Sequence, residues 1–76
     1  MASMTELFTS SRPVASDVPE AATAAVREAT EELHHTLNAR GIDVSFQDIA
    51  LLGHTESWDS EGQRWVHVIW RTEEEG

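Results

Sequence analysis

The chain has 76 residues, net charge −9 and no cysteine, so one small domain must hold together without disulfides, and thiolate metal sites and cysteine nucleophiles are excluded. All five basic residues are arginine, which rules out Schiff-base chemistry and the phosphate-gripping lysine of a P-loop. Five arginines against fourteen acids would repel a phosphate backbone, so nucleic acid is not an expected partner.

Residues 1–16, MASMTELFTSSRPVAS, are rich in Ser and Thr with scattered apolar positions. They read as a flexible lead, with Leu7 and Phe8 able to anchor a short strand or a partner contact. No basic segment precedes an apolar one here, and the apolar runs 49–52 and 65–70 fall far short of the ~20 residues of a membrane span. The expectation is a cytoplasmic protein with no membrane partner.

Residues 17–72 read as one small α+β domain. Asp17-Val18-Pro19-Glu20 has the form of a helix start, with Asp17 as cap, Pro19 in the first turn and Glu20 completing a capping box. A run of alanines follows, and Gly41 after Arg40 is a natural stop. The predicted helix spans residues 18–39. Ala22, Val26, Ala29, Leu33 and Leu37 recur at spacings of four, three, four and four, forming one apolar stripe. Glu28, Glu31, Glu32 and His35 lie on the other side.

That polar side contains two overlapping E-x-x-H pairs, Glu31/His34 and Glu32/His35. Residues three apart share a helix face, and such pairs form half of a di-iron carboxylate site. The remaining ligands would have to come from a second copy. A solvated face with neighbouring histidines is the plainer use of these residues, and no cofactor is assigned.

Residues 47–58 are expected to form a strand, with a bulge near Gln47-Asp48 where the apolar phase slips between Ile42/Val44/Phe46 and Ile49/Leu51. In the rival reading, residues 45–53 form a short helix capped by Ser45, boxed by Asp48 and stopped by Gly53. That rival would resemble a helix-turn-helix, but residues 55–62 carry Glu56, Asp59 and Glu61 and no base where a recognition helix should lie. Asp59-Ser60-Glu61-Gly62 reads as a turn. Residues 64–72 then alternate as a strand, placing Val66, Val68 and Trp70 on one face and Trp65, His67, Ile69 and Arg71 on the other. His54 and His67 are candidates to face each other across this ladder, as a metal pair or a pH-responsive one. Residues 73–76 read as an acidic C-terminal tail.

The predicted fold is therefore one long amphipathic helix on a small antiparallel hairpin or sheet, extended by oligomerisation. One helix covers one sheet face, which leaves Trp65 and Ile69 without cover. Tryptophan and arginine are the residues most enriched at binding hot spots. Trp58, Arg64, Trp65, His67, Ile69 and Arg71 are thus the candidate interaction residues. No catalytic constellation is present: there is no G-x-S-x-G, and the Ser57, Ser60 and His54 group matches no known arrangement. The expected function is that of a small acidic, non-enzymatic regulator, inhibitor or accessory subunit acting through protein–protein contact. The alternative is a homo-oligomeric binder of an aromatic small molecule or metal ion.

Overall fold

In the computed structural model, which describes residues 3–75 and the side-chain burial of residues 5–72, the elements run β1 (Ser3–Pro13), α1 (Pro19–Ala39), α2 (Phe46–Ala50), β2 (Thr55–Trp58) and β3 (Arg64–Glu75). The fold is α+β: a long helix and an antiparallel three-stranded sheet in the order β1-β3-β2. No helix among the described residues is long and apolar enough to cross a membrane.

The segment expected to be a flexible lead is instead largely β1. It pairs with β3 along its whole length, from Ser3 opposite Glu75 to Pro13 opposite Trp65. Serine and threonine suggested a linker, but β1 is an edge strand, and an edge strand draws its order from backbone pairing with its neighbour. The same pairing carries β3 as far as Glu75, so most of the expected acidic tail belongs to the sheet; Gly76 lies outside the described residues.

Helix α1 fills the predicted span, with a different start. Val18 is its N-cap, without a side-chain cap, and Pro19 opens the first turn; Asp17 does not cap. Proline fixes φ and needs no amide partner at this position, so the turn forms without the carboxylate. At the far end Arg40 caps and Gly41, at φ 83°, takes the left-handed conformation that terminates the helix.

The strand expected across residues 47–58 is shorter, and its first part is helical. Ser45 Oγ accepts the Asp48 amide while Asp48 accepts the Ser45 amide, a complete capping box at the start of α2. The apolar phase slips here because the chain passes from extended residues to a helical turn, with no bulge. This turn drives Ile49, fully buried, into the core beside Leu33, Leu37, Ala29 and Val68. Phe8, Ile42, Val44 and Trp70 pack around that cluster, and a second one joins Val14, Ala25 and Val66. The core thus lies on one side of the sheet, between β1/β3 and the apolar stripe of α1.

Candidate interaction face of the sheet

Register divides the strand residues into two sets. Phe8, Ser10, Arg12, Val66, Val68 and Trp70 face the helix, where Ser10, Val66 and Val68 are buried. Leu7, Thr9 and Ser11 of β1, Trp65, His67, Ile69 and Arg71 of β3, and Thr55 and Ser57 of β2 share the opposite face. No element packs on that second face among the described residues. Leu7 remains 66% exposed and Ile69 41% exposed on it.

A row of polar side chains crosses this open face. His67 sits at its centre, with Ser11 Oγ 2.7 Å from Nδ1 and Ser57 Oγ 2.7 Å from Nε2. One histidine therefore ties all three strands together through side chains. Ile69 lies along β3 on one side of this row and Trp65 on the other. The Trp65 indole Nε1–H donates to Asp59 Oδ2 at 3.1 Å. Asp59 also builds the β2–β3 turn, its Oδ1 accepting the amides of Glu61 and Gln63. These donors, the indole first and then the Gln63 amide, hold the Asp59 carboxyl below its ordinary range.

The ion pairs of Glu32 and Glu56 lie on the helix side. On the helix side Glu32 accepts from the Arg12 guanidinium and from Ser10 Oγ, the latter at 2.8 Å, and its carboxyl is lowered by Arg12 first and Ser10 next. Glu56 accepts from Arg64 Nε at 2.6 Å and lies 3.4 Å from His54 Nε2; Arg64 is the main cause of its lowered carboxyl. Arg40 lies over the Phe8 ring, 5.6 Å from its centroid. Residues 65–71 of β3 bring no Asp or Glu to the open face, but the strand continues the same face through Glu73, opposite Thr5, and Glu75, opposite Ser3.

The six candidate interaction residues divide accordingly. Trp65, His67, Ile69 and Arg71 share the open face, whereas Trp58 and Arg64 are paired on the helix side of the sheet. Trp58 is 63% exposed beside a cleft of about 360 Å³ lined also by Val14, Asp17 and Arg64. His54 and His67 are not ladder partners, because Thr55 stands opposite His67 and His54 precedes β2. On the polar side of α1, Glu31 and His35 are exposed, and Glu32 is engaged by Arg12. His34 meets the Phe46 ring edge-on with centroids 6.5 Å apart. Among the described residues no group of three or more His, Asp or Glu side chains could hold a metal ion.

Reading the sequence by strand alternation alone missed Ser11 and Ser57. The available signal was weak: a serine two residues before Pro13, and one beside Trp58, each assigned to a lead or a strand without a cross-strand partner. No family model, no curated protein and no solved structure matches the chain.

Proposed function

We propose that the chain is a small acidic, non-enzymatic protein that acts by protein–protein interaction, through the face of its sheet that α1 leaves open. The supporting observation is the coincidence of Trp65, His67 and Ile69 on the sheet face that α1 leaves open, where the stretch 65–71 of β3 carries no Asp or Glu in an acidic chain. Aromatic anchors with a polar surround are the usual anatomy of a docking surface. The acidic outer side of α1 remains free to steer a basic partner during encounter. The test is binding of a purified partner, first recovered by affinity capture, measured in parallel against wild type, Trp65→Ala and Glu31→Gln. The expected result is a loss of at least about tenfold in affinity with Trp65→Ala and a milder, salt-dependent loss with Glu31→Gln. Equal binding by wild type and Trp65→Ala would refute the sheet face as the docking site.

A second reading, a homo-oligomeric binder of an aromatic small molecule, is favoured by exposed Trp58 beside its cleft of about 360 Å³. Titration with adenosine should then quench fluorescence in wild type and not in Trp58→Phe. Its metal-binding form draws on Glu31/His34 and Glu32/His35, and calorimetry with zinc and ferrous ions showing only heat of dilution would eliminate it.

A further inference from the structure

We infer that Ser57 is an activated nucleophile that takes a short acyl group from activated carboxylic esters, with His67 as its general base and Ser11 as the residue that positions the imidazole. This chemistry goes beyond the docking reading and needs a single acyl transfer, not turnover.

Strand register builds the arrangement. His67 lies on β3, the middle strand, with Ser11 directly opposite on β1 and Thr55 directly opposite on β2. Ser57 stands opposite Trp65, one diagonal step from His67 on the same face. Diagonal neighbours on one face of an antiparallel pair lie within reach of a long side chain. The imidazole spans that gap, so its Nε2 lies 2.7 Å from Ser57 Oγ while its Nδ1 lies 2.7 Å from Ser11 Oγ. A hydroxyl in hydrogen-bond reach of a base, with the base oriented by a third group, is the geometry that activates an ordinary serine.

The two hydroxyls are not equivalent. A neutral imidazole accepts at one nitrogen and donates at the other, so it serves as base to one serine at a time. Ser11 and His67 are half-buried, whereas Ser57 is exposed on β2, a strand of four residues at the edge of the sheet. An ester carbonyl approaching from solvent reaches Ser57 Oγ more freely than Ser11 Oγ. In the reactive tautomer Nε2 therefore accepts from Ser57, and the Nδ1–H donates to Ser11. Beside His67 and Thr55, the apolar side chains of Leu52 and Ile69 help to line a cleft of about 100 Å³. That is room for roughly three water-sized groups, the bulk of a short acyl chain.

The transfer balances without a further reagent. Ser57 Oγ bonds to the ester carbonyl carbon as its proton passes to His67 Nε2, and the carbonyl electron pair moves onto oxygen. Collapse of this adduct breaks the carbon–oxygen bond to the leaving aryl oxide, which takes the proton back from the imidazolium. The products are an O-acyl serine, a phenol and neutral His67, with no change of oxidation state. Ser11 accepts from Nδ1–H throughout and holds the ring in place.

The probe is 4-nitrophenyl acetate added to the full chain, with the acetyl occupancy of each serine followed in time by peptide mass spectrometry. Ser60, exposed on the adjoining turn and without a hydrogen bond to an imidazole, is the internal reference. Ser57 should be acetylated at least about tenfold faster than Ser60 in wild type. His67→Gln, which keeps a polar side chain and supplies no base, should slow Ser57 at least about tenfold and leave Ser60 unchanged. Ser11→Ala should slow Ser57 by a smaller factor, and Ser11→Thr should restore it, because a hydroxyl at that position is what orients the ring. Circular dichroism confirms that the variants are folded, and the comparison of two serines within wild type needs no variant at all. Equal acetylation of Ser57 and Ser60 in wild type overturns the inference. A Ser57 rate indifferent to His67→Gln overturns it as well, since the imidazole would then not be the base.

Discussion

The two faces of the sheet are cut from the same strands, yet they are stabilised by different means. On the helix side of β3, Val66 and Val68 are buried and Trp70 packs against the main core cluster. On the other side, one residue away at each step, Trp65, His67 and Ile69 meet no covering element. The helix face is held by apolar burial, whose strength scales with area removed from water. The open face is held by a hydrogen-bonded row, Ser11–His67–Ser57, and by the indole bond to Asp59. A period of two thus assigns the residues of one strand to two settings, the core on one face and, on the other, the surface proposed for recognition.

The largest effect expected from disturbing this division lies in the core. Leu33 is 1% exposed between Leu37, Ile49 and Val68. Leu33→Ala should cost about 2–5 kcal/mol, the range for a buried leucine whose cavity relaxes only partly. In a domain this small that is most of the stability, so the variant should be partly unfolded in urea titrations at 25 °C. A loss below about 1 kcal/mol would mean that the helix is not the main cover of the sheet.

Next in size is the contrast between two tryptophans on opposite faces. Trp70→Ala removes a half-buried ring from the main cluster and should cost about 2–4 kcal/mol in chemical denaturation. Trp65→Ala deletes one hydrogen bond and a half-buried ring that packs against neither core cluster, and should cost about 1 kcal/mol while lowering association. Equal stability losses would erase the distinction between the faces. The reverse order would make the open face part of the fold's main support.

How much of this was legible beforehand depended on what kind of information each element needs. Helix α1 carried its own stripe, and Leu33 and Leu37 came out buried as their spacing indicated. The alternation in β3 likewise assigned Val66 and Val68 inward and Trp65 and Ile69 outward. Strand β1 was hidden because its order is non-local. Ser10 is buried on the face that α1 covers, and Glu32, twenty-two positions away, accepts the hydrogen bond from its hydroxyl; nothing near Ser10 encodes that. The Ser11–His67 contact, spanning fifty-six positions, was invisible for the same reason. Residues 45–53 went the other way: two local signals competed, and the reciprocal capping bonds of Ser45 and Asp48 overrode β propensity.

That capping box supplies the third prediction. Ser45→Ala removes the acceptor for the Asp48 amide and should cost about 1 kcal/mol. Because α2 delivers Ile49 to the core, the loss should appear in the global thermal midpoint rather than as local fraying alone. A shift in amide exchange confined to residues 46–50, with an unchanged midpoint, would show that Ile49 is held by packing without help from its cap.

The smallest effect is expected from the ion pairs that flank the sheet, and its sign follows from their carboxylates. Glu56 has its pKa lowered chiefly by the hydrogen bond from Arg64, and Glu32 chiefly by that from Arg12. A group depressed in the folded state stabilises it fully above the ordinary value, 4.5 for glutamate, and loses that contribution as pH falls through the lowered one. Acidification also relieves repulsion among the other carboxylates of a chain at −9, so the melting curve of wild type alone mixes two opposed trends. The difference between wild type and Glu56→Gln separates them, since both share the relief of repulsion and only one has the Arg64 pair. Wild type should melt slightly higher than Glu56→Gln at pH 6, and the gap should close below pH 4.5. Raising salt at pH 6 should narrow the same gap, because both partners are partly exposed and open to screening. A gap that persists in acid would assign the role of Glu56 to the cleft it lines with Ala22 and Val26 beside α1, and not to its charge.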